Sequence, residues 1–205
     1  VGFVFAQPAN NPCSGAISLT PGATCSYTLG TTQNATQSIN GCTGNADDDV
    51  WYTFTATQVN HSIDVDGNGD FDAVFEVFSG TCASLTSLEC VDLGLDGELE
   101  TTDLFGLTVG VTYYIRVYEY FNNTAWPPSD WTFNICVYNY VDVCGDLVCG
   151  PTESCNSVDP GYCPDDCGTC SETPGTYLHP TSGLQGTYLG SCMVNIDCDI
   201  TSVYY

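Results

Sequence analysis

The stretch 64–72, Asp-Val-Asp-Gly-Asn-Gly-Asp-Phe-Asp, carries a side-chain oxygen at every second residue: Asp64, Asp66, Asn68, Asp70 and Asp72. Gly67 and Gly69 allow the sharp turn that would make those oxygens converge. Calcium takes about six to eight oxygen ligands, and this segment could supply most of them. Its spacing follows the first half of an EF-hand loop, with Gly69 in the sixth place, but Phe75 stands where that loop needs a bidentate Glu. The flanks read as strands, so the expectation is a calcium-type loop and not an EF-hand. The alternative is a solvated Asp/Gly turn. A second cluster, Asp47-Asp48-Asp49, precedes a strand. Three adjacent carboxylates rarely point one way on a strand. Asp47 and Asp49 are its metal candidates, weighed against a charged turn. Asp92 and Asp96, in a Gly-rich loop, could join them or make a separate site. Asp146, Glu153, Asp165 and Asp166 form a weaker group further on.

The loop 118–131 is rich in aromatic residues. Tyr120 and Trp126 are its candidate glycan contacts, because flat rings stack on sugar faces and the neighbouring Asn and Asp offer hydrogen bonds. The competing reading has Trp131 opening a core strand and Tyr120 or Phe121 packing beneath a rigid Pro-Pro turn. Catalysis finds little support. Only His61 and His179 exist, neither lies in a nucleophile motif, and the chain has no lysine. Carboxylate pairs are too abundant to single out a glycosidase site. A non-catalytic protein is expected.

With 25 Asp plus Glu against the single cation Arg116, the formal net charge is −24 over 205 residues. No basic surface for nucleic acid can be built from this composition. Anionic membranes would repel the chain, and no apolar run is long enough to span a bilayer. Hydrophobic residues make up 43% of the sequence, which is ample for a core and argues against disorder. Metal ions are the available relief for so much negative charge. Calcium is therefore the expected cofactor.

The 14 cysteines point to an oxidising compartment and to disulfides in place of thiolate metal sites. The expected location is extracellular or at the cell surface. Six cysteines lie before residue 140 (Cys13, Cys25, Cys42, Cys82, Cys90, Cys136), six at 144–170 (Cys144, Cys149, Cys155, Cys163, Cys167, Cys170) and two near the end (Cys192, Cys198). The pairs expected are Cys82–Cys90 across a hairpin, Cys13–Cys136 tying first strand to last, Cys25–Cys42 and Cys192–Cys198. Pairing within 144–170 stays open. Each bridge stabilises by roughly 2–4 kcal/mol.

Hydrophobic alternation has period two, not 3.6. Val50, Tyr52 and Phe54 share one face. Tyr113, Ile115 and Val117 oppose Tyr114, Arg116 and Tyr118. Residues 72–78 and 131–137 read as buried strands, and weaker strands fall at 16–20, 24–29, 62–65, 85–90 and 99–105. Gly-, Asn- and Asp-rich turns separate them, and no helix is evident. The fold class is all-β: an antiparallel β-sandwich of jelly-roll or immunoglobulin-like type, with a small disulfide-rich module and a C-terminal β segment.

Six segments occur in order: Asn-Pro-Cys-Ser-Gly-Ala-Ile-Ser-Leu-Thr at 11–20, Asp-Val-Trp-Tyr-Thr-Phe-Thr at 49–55, Asp-Phe-Asp-Ala-Val-Phe-Glu-Val-Phe-Ser-Gly at 70–80, Thr-Cys-Ala-Ser-Leu at 81–85, Gly-Val-Thr-Tyr-Tyr-Ile-Arg-Val at 110–117 and Trp-Thr-Phe-Asn-Ile-Cys at 131–136. The series resembles the pre-peptidase C-terminal-type β-sandwich of secreted bacterial surface proteins and extracellular hydrolases. The resemblance covers about 11–140 and implies a non-catalytic domain that binds calcium, polysaccharide or matrix, or acts as a spacer. Residues 144–170 resemble a cysteine-rich repeat of the same class of proteins. The chain then divides into an apolar strand or arm at 1–10, the sandwich at 11–142, the disulfide-rich module at 143–170, and a linker with a C-terminal strand segment at 171–205. The first residues also resemble the tail of a signal peptide, and the last resemble the opening strands of a further domain or a strand for a neighbour's sheet.

Two functional expectations follow. In the first, the protein is a calcium-binding structural subunit of a surface filament. Val1, Phe3 and Phe5 would complete a neighbour's sheet, and the chain would self-associate into a polymer. In the second, it is an adhesion-type accessory module for carbohydrate or matrix.

Overall fold

The computed structural model describes residues 6–122, 128–141, Cys163 and two strands at 175–178 and 185–188. The chain forms two compact units, 1–140 and 141–205. The described residues of the first contain nine strands: β1 (Ile17–Leu19), β2 (Thr28–Thr31), β3 (Val50–Thr55), β4 (His61–Gly67), β5 (Ala73–Thr81), β6 (Ser84–Val91), β7 (Leu99–Leu104), β8 (Thr112–Glu119) and β9 (Thr132–Asn139), with one short 3-10 turn at Cys13–Gly15. One sheet has the order β1-β3-β8-β5-β6 and the other β2-β9-β4-β7. Pairing is antiparallel except for β1 beside β3. In the second unit, β10 (Gly175–Leu178) and β11 (Gln185–Tyr188) pair antiparallel, and Cys163 is buried and disulfide-bonded.

Period two explains the sandwich. Tyr52, Phe54, Phe75, Val77, Ile115 and Val117 on one sheet meet Ile63, Val65, Phe133, Ile135 and Val137 on the other in a single core. Phe133 anchors it, edge-on to Tyr52 and stacked with Phe71. Most strands fall where the alternation puts them. The early stretch expected at 24–29 is displaced to Thr28–Thr31, because Cys25 is committed to a bridge and Thr28 to Ile135 of β9.

The bridges correct the expected pairing. Cys13 joins Cys82, Cys25 joins Cys136, and Cys42 joins Cys90. Cys82 and Cys90 flank β6 near its two ends, so each is held by a different segment instead of by the other. The proposed Cys192–Cys198 pair lies outside the described residues, as do Cys144, Cys149, Cys155, Cys167 and Cys170.

The central strands of the first sheet, β3, β8 and β5, are buried on both faces. Its outer face presents Trp51, Arg116 and Glu76 side by side on β3, β8 and β5. The 32–49 segment covers them. Arg116 is fully buried, and its Nη1 donates to the carbonyls of Ile39 at 3.2 Å and Asn40 at 3.1 Å. Its Nε lies 3.7 Å from Asp49 and its Nη2 3.5 Å from Glu76. The guanidinium also sits 4.7 Å from the Tyr118 ring centroid. Asp49 in turn accepts from the Ser38 N–H and hydroxyl, and Trp51 Nε1 donates to Ser38 Oγ. Burial raises the carboxyl pKa of both Asp49 and Glu76, and Arg116 opposes that shift. Replacing Arg116 with Met keeps the stem volume but strands two buried acids. The expected cost is about 3–5 kcal/mol, read as a lowered urea midpoint. A loss below about 1 kcal/mol, the range of an exposed pair, would show that the pairing is not structural.

Candidate functional site

Several loops meet at one end of the sandwich. The Asn45 N–H donates to the Tyr120 carbonyl, the Tyr120 N–H to the Asp72 carbonyl, and the Gly97 N–H to the Phe71 carbonyl. Asp70 accepts from the backbone and hydroxyl of Ser129. Gly97 has φ +70°, and a side chain there would collide with the Gly69 carbonyl. That close approach locks the 92–98 loop against the 67–72 turn.

The 64–72 segment does not converge on one point. Asp64 and Asp66 lie in β4, so their side chains follow the strand pleat and not a loop. Asp64 accepts from Thr101 Oγ1 at 2.7 Å and lies beside the Cys25–Cys136 bridge, whose sulfurs are already bonded to each other. Asn68 bonds Thr132 and Asn134. Asp70 is exposed and caps Ser129 and Asp130, whose donors lower its pKa. Asp72 alone is turned into a crowd of acids. The single five-ligand calcium loop expected from the spacing is therefore absent, because strand continuation through Gly67 sends the alternate residues to different neighbours.

The Asp47–Asp49 run is likewise divided. Asp49 belongs to Arg116, whereas Asp48 Oδ1 accepts the Glu119 N–H at 3.1 Å. Asp47 is half-buried in the preceding turn. Asp48, Asp72 and Glu119 are all buried, at 2%, 3% and 1% exposure. Burial pushes Asp72 up to about 6, with Asp92, Asp96, Glu100 and Glu98 adding to the shift. Burial likewise pushes Glu119 up to about 8, with donation from the Phe121 N–H acting against the shift and the charges of Asp48 and Asp72 reinforcing it. Glu100 differs: its carboxylate accepts from the Leu93 and Gly94 N–H groups at 2.6 Å each and organises the loop. The 64–72 reading missed Glu119 and Asp48. One signal was available: continuing Tyr113, Ile115, Val117 by two residues puts Glu119 on the core face.

Tyr120 packs against Ala46, Val74 and Tyr118 and so serves as a core contact. Phe121 meets it edge-on at 5.1 Å and is 42% exposed. Leu93 and Leu95 on the neighbouring loop are exposed as well, at 72% and 70%. Trp126, Val1, Phe3 and Phe5 lie outside the described residues, as do Asp146, Glu153, Asp165, Asp166 and His179. His61 is a structural ring. Its Nε2 accepts the Thr57 and Gln58 N–H groups, Nδ1 faces the Tyr138 carbonyl, and burial lowers its pKa.

Residues 9–135 match the family model described as galactose binding domain-like and associated with T9SS. The chain belongs to this galactose-binding-domain-like family. The match covers nearly the same stretch as the resemblance to the pre-peptidase C-terminal-type sandwich, and the two-sheet architecture is the one that resemblance implies. The 1.0 Å crystal structure of the pre-peptidase C-terminal domain of collagenase from Bacillus anthracis is similar over 60% of this chain and 95% of that one, at 14% identity and a TM-score of 0.38. No curated protein matches. Such binding-type, secreted-protein domains fit the three disulfides. No helix among the described residues is long and apolar enough to cross a membrane.

The galactose-binding-domain-like unit should show an unusual pH response when chelated. Glu119 and Asp72 have folded pKa values above their unfolded ones, so the native state holds more protons. The stability these groups contribute is complete below about pH 4 and is lost as pH rises through about 6 for Asp72 and about 8 for Glu119. In chelator, Tm should fall by roughly 5 °C or more between pH 5 and pH 9. Glu119→Gln should flatten the upper part of that slope. An unchanged slope would mean that Glu119 is solvated.

Proposed function

We propose that the protein is a secreted, non-catalytic recognition module that binds carbohydrate through the loop end of its sandwich and depends on calcium. The observation carrying this reading is the convergence of the 43–49, 67–72, 92–98 and 119–122 segments. They bring buried carboxylates together with the exposed apolar groups Leu93, Leu95 and Phe121. The family's description supports a sugar ligand, and Phe121 takes the stacking role first assigned to Tyr120. Trp126 remains a candidate from the same loop. Calcium is favoured because the chain's only Lys or Arg side chain is already committed to Asp49 and Glu76.

Titration with galactose-bearing polysaccharide, with calcium and with chelator, tests the reading. Binding should weaken about tenfold or more in Phe121→Ala, a loss equivalent to about 1.4 kcal/mol, and in chelator. Binding indifferent to both changes would sink it.

A filament subunit linked by strand complementation is the second reading. Its support is β6, an eight-residue strand, largely exposed, that among the described residues stands at the sheet edge and pairs with β5 alone. Such an edge can accept a further strand. Calcium-dependent growth in particle size by light scattering would favour it. A monomer in both conditions would remove it.

A further inference from the structure

We infer that the seam where the end of β8 meets the 45–48 turn and the 67–72 turn is a calcium site, with Asp72 and Glu119 as its carboxylate ligands, backbone carbonyls and water completing the shell, and Asp92 and Asp96 nearest solvent. The inference rests on the calcium dependence proposed above and gives it a place other than the alternating 64–72 segment.

The Asp72 and Glu119 carboxyls come from separate elements and are held together by backbone, and Asp48 is bonded to the same stretch. Asp48 Oδ1 takes the Glu119 N–H. The Glu119 carboxyl takes the N–H groups of Asp72 and Phe121. The Tyr120 N–H donates to the Asp72 carbonyl at 2.9 Å, and Ala73 sits opposite Glu119 in the β5–β8 register. The acids are therefore neighbours through fixed contacts and not by chance of side-chain rotation.

Two of their oxygens lack hydrogen-bond donors. Asp72 Oδ1 and Glu119 Oε2 are enclosed with no hydrogen-bond partner. A buried acceptor in that condition is costly, and a buried charge more so. Other buried acids in the two sheets are provided for. Asp49 and Glu76 have Arg116. Glu100 has two backbone donors. Asp64 has Thr101. Among the described residues, the Asp72–Glu119 pair combines near-complete burial, like charge and oxygens meeting no donor without a cation beside it, and no lysine or second arginine exists in the sequence to reach it. A divalent cation satisfies both oxygens and the repulsion together. Its class follows from the donors: carboxylate oxygens without imidazole or thiolate select a hard ion. Calcium, which accepts irregular oxygen shells completed by carbonyls and water, fits better than magnesium with its strict octahedron.

The test uses the whole chain, stripped with chelator and titrated with calcium chloride by calorimetry and by thermal unfolding. Wild type should bind and gain Tm. Asp72→Asn and Glu119→Gln, which keep shape while removing charge, should lose at least tenfold in affinity and most of the Tm gain. Asp66→Asn with Asp70→Asn should keep both. Asp92→Asn with Asp96→Asn, on the loop surface where folding is not at risk, should weaken binding several-fold, which keeps the test decisive if an inner variant fails to fold. No response in wild type would overturn the calcium reading itself. A wild-type response retained in Asp72→Asn and Glu119→Gln, or lost in Asp66→Asn with Asp70→Asn, would overturn only this placement.

Discussion

A single guanidinium, closed off from water, holds the outer face of the first sheet to the segment that covers it. Arg116 touches two carboxylates, two backbone carbonyls and an aromatic ring. Each of those partners belongs to a different part of the chain. Glu76 is on β5, Asp49 precedes β3, Ile39 and Asn40 lie in the covering segment, and Tyr118 shares β8. In a chain of net charge −24 there is no substitute for this cation. Burying acids without it would require that they stay protonated, so the covered face, and with it the start of β3, depends on one side chain.

The disulfides reinforce the same geometry. Cys42–Cys90 fastens the covering segment to the edge strand β6, and Cys13–Cys82 fastens the chain's beginning to the far side of that strand. Cys25–Cys136 secures β9 in the second sheet. All three link residues distant in sequence, and loop closure of that length restricts the unfolded chain strongly. The fold thus gains stability from covalent links and one buried ion pair cluster where other proteins use surface salt bridges.

The two sheets bring several loops together at one end. There the acids fall into groups with different physical roles. Some are spent on backbone donors, as Glu100 is, and order a loop. Others cap a turn, as Asp70 does. Asp72 and Glu119 are gathered in the interior with one oxygen each that meets no hydrogen-bond donor, and Asp48 accepts the Glu119 N–H beside them. Leu93 and Leu95 on the 92–98 loop and Phe121 just after β8 are exposed.

Strand identity was legible residue by residue. Alternation along β3, β5, β8 and β9 is a local property, and burying one face of a pleat requires it whatever the neighbours are. An oxidising environment and the poverty of cations were equally plain from composition. Tertiary structure alone decided which cysteines meet, because pairing depends on which strands become neighbours. Proximity along the chain misleads here: Cys82 and Cys90 lie eight residues apart yet face different partners. The same holds for the acids. Asp48 and Asp49 are adjacent, but the turn before β3 sends one to Glu119 and the other to Arg116. An evenly spaced row such as 64–72 looks like one site in the sequence. In the fold its members point where the two sheets and their connecting turn carry them, and only Asp72 arrives among other buried carboxylates.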